Sequence, residues 1–347
     1  MYINFKKAII SWAKSKKRVL PWKETKDPYH IWLREIILQQ TRVEQGASYY
    51  HRFLEEYPDV KDLAAASLDE IYKNWEGLGY YSRARNLHQA AKEIVEIHQG
   101  VFPREYEQVI ELKGVGEYTA AAIVSFAYDQ PHAVLDGNVF RVLSRYFGID
   151  IPIDTTAGKK YFKALAQKCL DISHPAEYNQ AIMDLGAVIC KPAQPLCDHC
   201  PFSSDCIALH TDRIQELPVK SKKMIRQDRF FNFLVLRNAD KVVIQQRTER
   251  DIWQHLFQFP LIESTGRLLT VAELNIDGLS VSTPVIESRE YKQALTHRNI
   301  FGKFFEIQTD KFEIDKGWLV IKKEDLSRYG FPKIIREYLT EKDNYIY

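Results

Sequence analysis

Four cysteines, Cys190, Cys197, Cys200 and Cys206, fall within seventeen residues in the spacing C-x6-C-x2-C-x5-C, and nothing else in the chain limits its fold as strongly. Short loops between thiolates bring four sulfurs together, which is how iron-sulfur cubanes are held. Zinc on four cysteines is the competing reading. Structural zinc favours paired C-x2-C knuckles, and only Cys197 to Cys200 has that form, so a [4Fe-4S] cluster is expected. Unligated thiols are the third possibility, and the crowding of four of the five cysteines into one segment argues against it. The fifth, Cys169, lies in an apolar, helix-like stretch with Tyr161, Phe162, Leu165, Ala166 and Leu170 and reads as a small buried hydrophobe. A disulfide framework is not expected.

At 347 residues the chain is long enough for two domains, and 45% hydrophobic with 12% aromatic is ample for packed cores. Residues Met1 to Arg18 carry Tyr2, Phe5, Ile9, Trp12 and Ala13 at helical spacing among lysines, an amphipathic first helix and not a signal peptide. No apolar run approaches the roughly eighteen residues of a membrane span, so a soluble, cytoplasmic protein in a reducing compartment is expected, without a membrane partner. The net charge of +2 says little. Its distribution says more, because Lys220, Lys222, Lys223, Arg226 and Arg229 crowd one segment against the single acid Asp228. Such a run reads as a solvated linker, and its sign also suits a phosphate backbone. Helical periodicity dominates before it, and β-rich runs such as Phe230 to Leu236 and Val242 to Gln245 follow. The expected architecture is a mainly α domain at 1–217, a basic linker at 218–229 and an α+β domain at 230–347.

Within the helical part, Glu111-Leu-Lys-Gly-Val-Gly116-Glu-Tyr-Thr-Ala-Ala-Ala122 has a periodic helix on either side of a tight glycine turn, a helix-hairpin-helix signature. Gly114 and Gly116 let the backbone turn sharply and approach a partner, and the amides opening the second helix attract a phosphate. Asp136 follows, just before a new apolar periodicity, where it reads as a helix cap. A carboxylate there is also held ionised by the helix dipole and local N–H donors, and so suits a developing positive charge. Glu35 falls between Ile31, Trp32 and Leu38 on a helix apolar almost all round. It is expected either to stand buried without a partner, its pKa raised so that it remains a proton donor, or to pair with a base such as Arg34 or Arg42. One neutral and one ionised carboxyl are what glycosidic cleavage through an oxocarbenium-like transition state needs.

The hairpin, the following aspartate and the cysteine cluster together resemble the endonuclease III superfamily of DNA glycosylases. Leu38-Gln-Gln-Thr-Arg-Val43, Gly77-Leu-Gly-Tyr-Tyr-Ser-Arg-Ala-Arg-Asn86 and the β-rich C-terminal part resemble its MutY-type adenine glycosylases in particular. That resemblance implies a helix-hairpin-helix glycosylase domain with an iron-sulfur loop, followed by a Nudix-like domain that reads 8-oxoguanine. It implies that Glu35 protonates adenine and later helps activate water, that Asp136 stabilises the sugar cation, and that Asn138 supports the pair. Tyr118 stands where bifunctional relatives carry a Schiff-base lysine, so strand cleavage by β-elimination is not expected. Gln40, Thr41, Leu78 and Tyr80 match positions that enter the duplex near the partner base, and Trp22 and Gln180 match positions lining the adenine pocket.

Trp253-Gln-His-Leu-Phe-Gln-Phe259-Pro260 resembles the family's Nudix-like domain, yet residues 266–278 offer Glu273 as their only glutamate, too few to bind magnesium for pyrophosphate hydrolysis. Recognition fits better than a second active site. The family's Phe-Ser-His loop appears as Leu295-Thr296-His297, which keeps a hydroxyl and loses an aromatic neighbour, and Lys113 replaces a common proline in the hairpin. The implied protein is a monomeric, monofunctional glycosylase acting on duplex DNA with adenine opposite 8-oxoguanine or guanine. A mismatch-thymine glycosylase of the same superfamily and a catalytically idle lesion-binding protein are the alternatives.

Overall fold

Polar caps set where the helices of the N-terminal half begin. Asp27 accepts amide hydrogens from Tyr29 and His30, Thr155 from Gly158 and Ser67 from Glu70, whose own side chain returns the bond; these side chains satisfy donors that helix starts leave open. The computed structural model describes residues 2–16, 25–221, 226–274, 284–310, 312 and 317–341. The chain divides into two units, Met1–Ala65 with Asn86–Lys223, and Ala66–Arg85 with Met224–Tyr347.

The first unit holds α1 (Tyr2–Ser15), α2 (Pro28–Ile37), α3 (Val43–Glu56) and α4 (Val60–Ala65). The second takes α5 (Leu68–Trp75), and α6 (Ser82–His98) begins in the second unit and runs into the first. The first unit continues through α7 (Tyr106–Glu111), α8 (Glu117–Tyr128), α9 (Gly137–Phe147), α10 (Thr156–Cys169), α11 (Pro175–Val188) and the short α12 (Ile207–His210). Helix α8 is apolar all round, with Thr119 to Phe126 buried, so it forms the centre against which α2, α7 and α11 pack. Cys169 is fully buried at the end of α10, as expected of a small hydrophobe. Among the described residues no helix is long and apolar enough to cross a membrane.

The second unit is built on one sheet in the order β3-β2-β1-β7-β5, with β4 added to β1, β6 to β7 and β8 to β2. The strands are β1 (Gln227–Asn238), β2 (Lys241–Gln246), β3 (Phe257–Gln258), β4 (Leu261–Ser264), β5 (Ile286–Glu287), β6 (Tyr291–Ala294), β7 (Arg298–Gln308) and β8 (Trp318–Lys322), followed by α13 (Lys333–Glu341). Strand β1 lies parallel to β7 and is buried from Phe231 to Leu236, which is why its sequence there is apolar but for Asn232, whose side-chain amide donates to the Ile262 carbonyl and the Ser264 hydroxyl. Its alternate side chains feed two cores. Phe231, Phe233 and Val235 pack with Phe259, Phe304 and residues of α13; Leu234 and Leu236 pack with Val243, Phe305 and Ile307.

Two features depart from the linear reading. The segment Ala66–Arg85 joins the second unit because its polar groups find partners there: Glu76 accepts from the Phe331 amide at 3.3 Å and Arg85 donates to Gln254 at 2.8 Å. The basic run is also not one solvated linker. Arg229 lies in β1 and ion-pairs with Asp251 at 2.8 Å and Glu263 at 2.6 Å, while Asp228 accepts from Asn299. Val219 and Ser221 are bound to Ile153 and Asp154 of the first unit. Lys222 and Lys223 lie outside the described residues.

Candidate active site

Glu35 sits near the end of α2, where every residue from Ile31 to Ile37 is buried, and its own exposure is 5%. The alternative of an unpartnered glutamate is not realised. Both Nε and Nη2 of Arg34 lie 2.9 Å from Oε1, and the Tyr118 hydroxyl donates to Oε2 at 2.7 Å. The reason is the helix itself: with all sides enclosed, the Arg34 guanidinium, also 5% exposed, has no route to water and folds back onto its neighbour across the ring of Phe126. Tyr118 comes from the first turn of α8. Burial, then the charges of Glu35 and Asp136, push its phenol well above the ordinary tyrosine value, so it keeps its proton and acts as a donor. These three side chains occupy one neighbourhood.

Asp136 caps α9, accepting the Val139 amide at 2.8 Å and the Asn138 side-chain amide at 2.7 Å. The donors expected to hold it ionised are present. Burial nevertheless outweighs them and moves its carboxyl above the usual aspartate value. Asn138 is fixed by Arg141, whose Nη2 donates to the Asn138 Oδ1 at 2.8 Å and to the Gly186 carbonyl at 2.7 Å, while its Nε donates to the Cys190 carbonyl at 2.6 Å. Gly186, on α11, admits this approach: a Cβ there would stand 2.6 Å from the Asn138 Cβ. Sequence reasoning missed Arg141 and Gly186, and named Arg34 only as one alternative partner of Glu35. The available signal was an arginine inside each of two apolar helical runs, where a cation stays only if acceptors surround it.

Cys190 follows α11 and the other three cysteines surround a single 3-10 turn at Cys197–His199 before α12. All four are free thiols. Burial raises the pKa of Cys200 to about 11, and Cys197, Cys200 and Cys206 each feel the charge of Cys190, so the four lie within electrostatic reach of one another. Arg145, 2% exposed, is the loop's internal brace: it donates to the carbonyls of Lys191, Pro192 and Leu217 and lies 3.5 Å from the Cys190 sulfur. Among the described residues no three His, Cys, Asp or Glu side chains are arranged to hold a single metal ion.

The hairpin glycines differ in kind. Gly114 has a φ of 78° and a Cβ there would meet Asn86 at 2.6 Å, so the fold itself requires glycine. Gly116 caps α8 with open space where a Cβ would be. Gln40 and Tyr80 are exposed and both carry positive φ, 56° and 49°, unusual for residues with side chains. Thr41 is half-buried with its hydroxyl on the Gln39 carbonyl, and Leu78 is 6% exposed. In the second unit Thr296 and His297 form the tip between β6 and β7, where the Thr296 hydroxyl is bonded to that of Tyr80. Gln180 donates to Asp184 and lines a cavity of about 480 Å³ with Trp12 and Lys14; Glu35 and Asp136 do not line it. Trp22 lies outside the described residues. Glu273, the one glutamate of the stretch compared with a Nudix box, is committed to Arg267.

Residues 33–171 match the HhH-GPD superfamily of base excision DNA repair proteins, and residues 232–341 match the NUDIX domain. An adenine DNA glycosylase of Buchnera aphidicola subsp. Baizongia pistaciae is 33% identical over 325 residues, covering 92% of this chain and 87% of its own. The Mus musculus adenine DNA glycosylase is 43% identical over 213 residues, 59% of this chain and 41% of its own. Among solved structures, a thermostable thymine-DNA glycosylase is 29% identical with a TM-score of 0.57, covering 60% of this chain and 97% of that one. Endonuclease III in a non-covalent DNA complex shares the fold, at 22% identity and a TM-score of 0.53 over 61% of this chain and 98% of that one.

Proposed function

Because the chain belongs to the adenine DNA glycosylase family, we propose that it hydrolyses the N-glycosidic bond of adenine mispaired with 8-oxoguanine or guanine in duplex DNA, without cutting the strand. The carrying observation is the Tyr118 hydroxyl bonded to Glu35 beside Asp136: two carboxyls share a neighbourhood with a phenol. Glu35 donates a proton to a ring nitrogen of adenine, and the bond from base to sugar breaks with its electron pair leaving on the base. The Asp136 carboxylate, oriented by Val139 and Asn138, faces the sugar cation. Water adds to the sugar carbon and returns its proton to Glu35, leaving free adenine and an abasic site. The phenol of Tyr118, which keeps its proton, orients the Glu35 carboxyl and attacks nothing.

Four thiols within mutual electrostatic reach, braced by Arg145, suit a [4Fe-4S] cluster held by Cys190, Cys197, Cys200 and Cys206. When bound, the group would fix the loop's shape; hydrolysis requires no redox step. Visible absorbance with about four irons per chain supports it, and colourless protein with one zinc overturns it. On the same reading Gly114 and Gly116 receive a phosphate, Gln40, Thr41, Leu78 and Tyr80 enter the duplex, Thr296 and His297 read the partner base, and Trp22 and Gln180 line the base pocket. The protein acts as an intracellular, DNA-associated monomer.

The test is incubation with duplexes carrying adenine opposite 8-oxoguanine, adenine opposite guanine and thymine opposite guanine. Adenine loss that yields breaks only after alkali is the expected result. Thymine loss favours the mismatch-thymine reading, which the likeness to a thymine-DNA glycosylase keeps in view; tight binding without base loss favours an idle lesion binder.

A further inference from the structure

The tip between β6 and β7 does not set its own angle. The Leu295 amide donates to the Arg298 carbonyl at 2.7 Å, which leaves Thr296 and His297 as a two-residue loop. Such loops match the twist of their strands when central residues take positive φ, and other turns splay them. Neither Thr296 nor His297 has positive φ. Ties from outside the hairpin are therefore needed, and two lie within the same unit. The Gln227 amide donates to the His297 carbonyl at 3.0 Å. The Arg298 Nη1 donates to the Asp251 Oδ1 at 2.6 Å.

Asp251 is itself held from two further directions. Arg229 Nη1 lies 2.9 and 2.8 Å from its two oxygens, and Arg247 Nη2 lies 2.8 Å from Oδ2. Arg247 also closes the loop that carries Asp251, donating to the Ile252 carbonyl at 3.0 Å and to Gln258 at 2.7 Å. Three guanidinium groups converge on one carboxylate, and one of them belongs to Arg298, which closes the loop. Burial opposes its charge, but Arg229, the Ile252 amide and Arg298 hold its pKa at about 2. The tip itself offers the Thr296 hydroxyl to Tyr80.

We propose that Asp251 is a positioning residue for recognition of the base opposite adenine: through Arg298 it fixes the angle of the Thr296–His297 tip, and with it the place of the Thr296 hydroxyl beside Tyr80. The inference rests on the reading of that tip as the 8-oxoguanine reader. It assigns specificity to a carboxylate whose oxygens are taken up by Arg229, Arg247 and Arg298.

The test is single-turnover excision by the full chain from adenine:8-oxoguanine and adenine:guanine duplexes, comparing wild type with Asp251→Asn, Asp251→Glu and Arg298→Gln. Asp251→Asn is expected to lose about tenfold of the preference for the 8-oxoguanine duplex, the worth of one charge-assisted hydrogen bond, while the rate on adenine:guanine is kept. Asp251→Glu should restore part of the preference. Arg298→Gln spares the pairing of Asp251 with Arg229 and Arg247, and so the unit's fold, and should show the same loss. Amide exchange across residues 295–299 should quicken in both charge-breaking variants. Preference retained by both, or an equal fall on both duplexes, overturns the proposal alone. A wild type indifferent to the partner base overturns the 8-oxoguanine reading, and the proposal with it.

Discussion

Arg141 donates its Nε to the carbonyl of Cys190 at 2.6 Å, and the same guanidinium holds Asn138 at 2.8 Å, so one side chain spans from a cysteine of the cluster loop to the residue that supports Asp136. Arg141 is 8% exposed, and water cannot easily replace it. Arg141→Gln strands the carbonyls of Gly186 and Cys190, at about 1–3 kcal/mol for each left unpaired. The expected outcome is a fall in stability on the order of 3 kcal/mol, read from the denaturant midpoint, together with slower excision. A variant of wild-type stability and rate would show the bridge to be idle.

Glu35→Gln keeps the shape of the acid and removes its proton. Excision should fall by at least about a hundredfold, the usual contribution of a placed proton donor, with duplex binding retained. Tyr118→Phe removes only the 2.7 Å bond to the carboxyl and should cost less, about tenfold, because the acid survives with its orientation loosened. Single-turnover rates and a binding titration check both. Unchanged cleavage by Glu35→Gln would exclude it as the acid.

Much of this was legible in the sequence because chemistry there is tied to local spacing. The cysteine cluster, the glycine hairpin and the capping aspartate each need only a few neighbouring residues to be recognised. The cores of β1 were visible for the same reason: Phe231 to Leu236 is apolar at every position but Asn232, and both faces are covered. What the sequence did not disclose depends on partners far along the chain. Arg34 could be named as a partner for Glu35 but not selected over an unpaired acid. The bonds from Arg141 to Gly186 and from Tyr80 to Thr296 join residues 45 and 216 positions apart. The grouping of Ala66–Arg85 with the C-terminal unit is of that kind too.

Asp136→Asn should separate stability from chemistry. Because burial raises the folded-state pKa of Asp136, the folded chain retains a proton that the unfolded chain has already released. Stability therefore falls as pH rises from the ordinary carboxylate value through the raised one, and the deficit persists at neutral pH. Asparagine caps a helix as well as aspartate does and cannot ionise. The variant should unfold at a temperature equal to or above wild type at pH 7, the advantage vanishing below the ordinary aspartate range, while excision is lost. A variant clearly less stable at neutral pH would overturn this account of the site's electrostatics.

Gly186→Ala tests how closely α11 must approach the Asp136–Asn138 turn. In the middle of a helix this exchange ordinarily stabilises by about 0.5–1 kcal/mol, since alanine loses less backbone freedom. Here the added Cβ would stand 2.6 Å from the Asn138 Cβ and 3.1 Å from its Cα and carbonyl oxygen. These atoms are fixed by α9 and cannot swing aside as a flexible side-chain end would. Either α11 moves outward, pulling the Gly186 carbonyl from Arg141, or Asn138 moves and releases Asp136. Both paths predict lower thermal stability and reduced excision, opposite in sign to the propensity effect. Stabilisation with full activity would mean that the contact between the two helices is looser than the bond network implies.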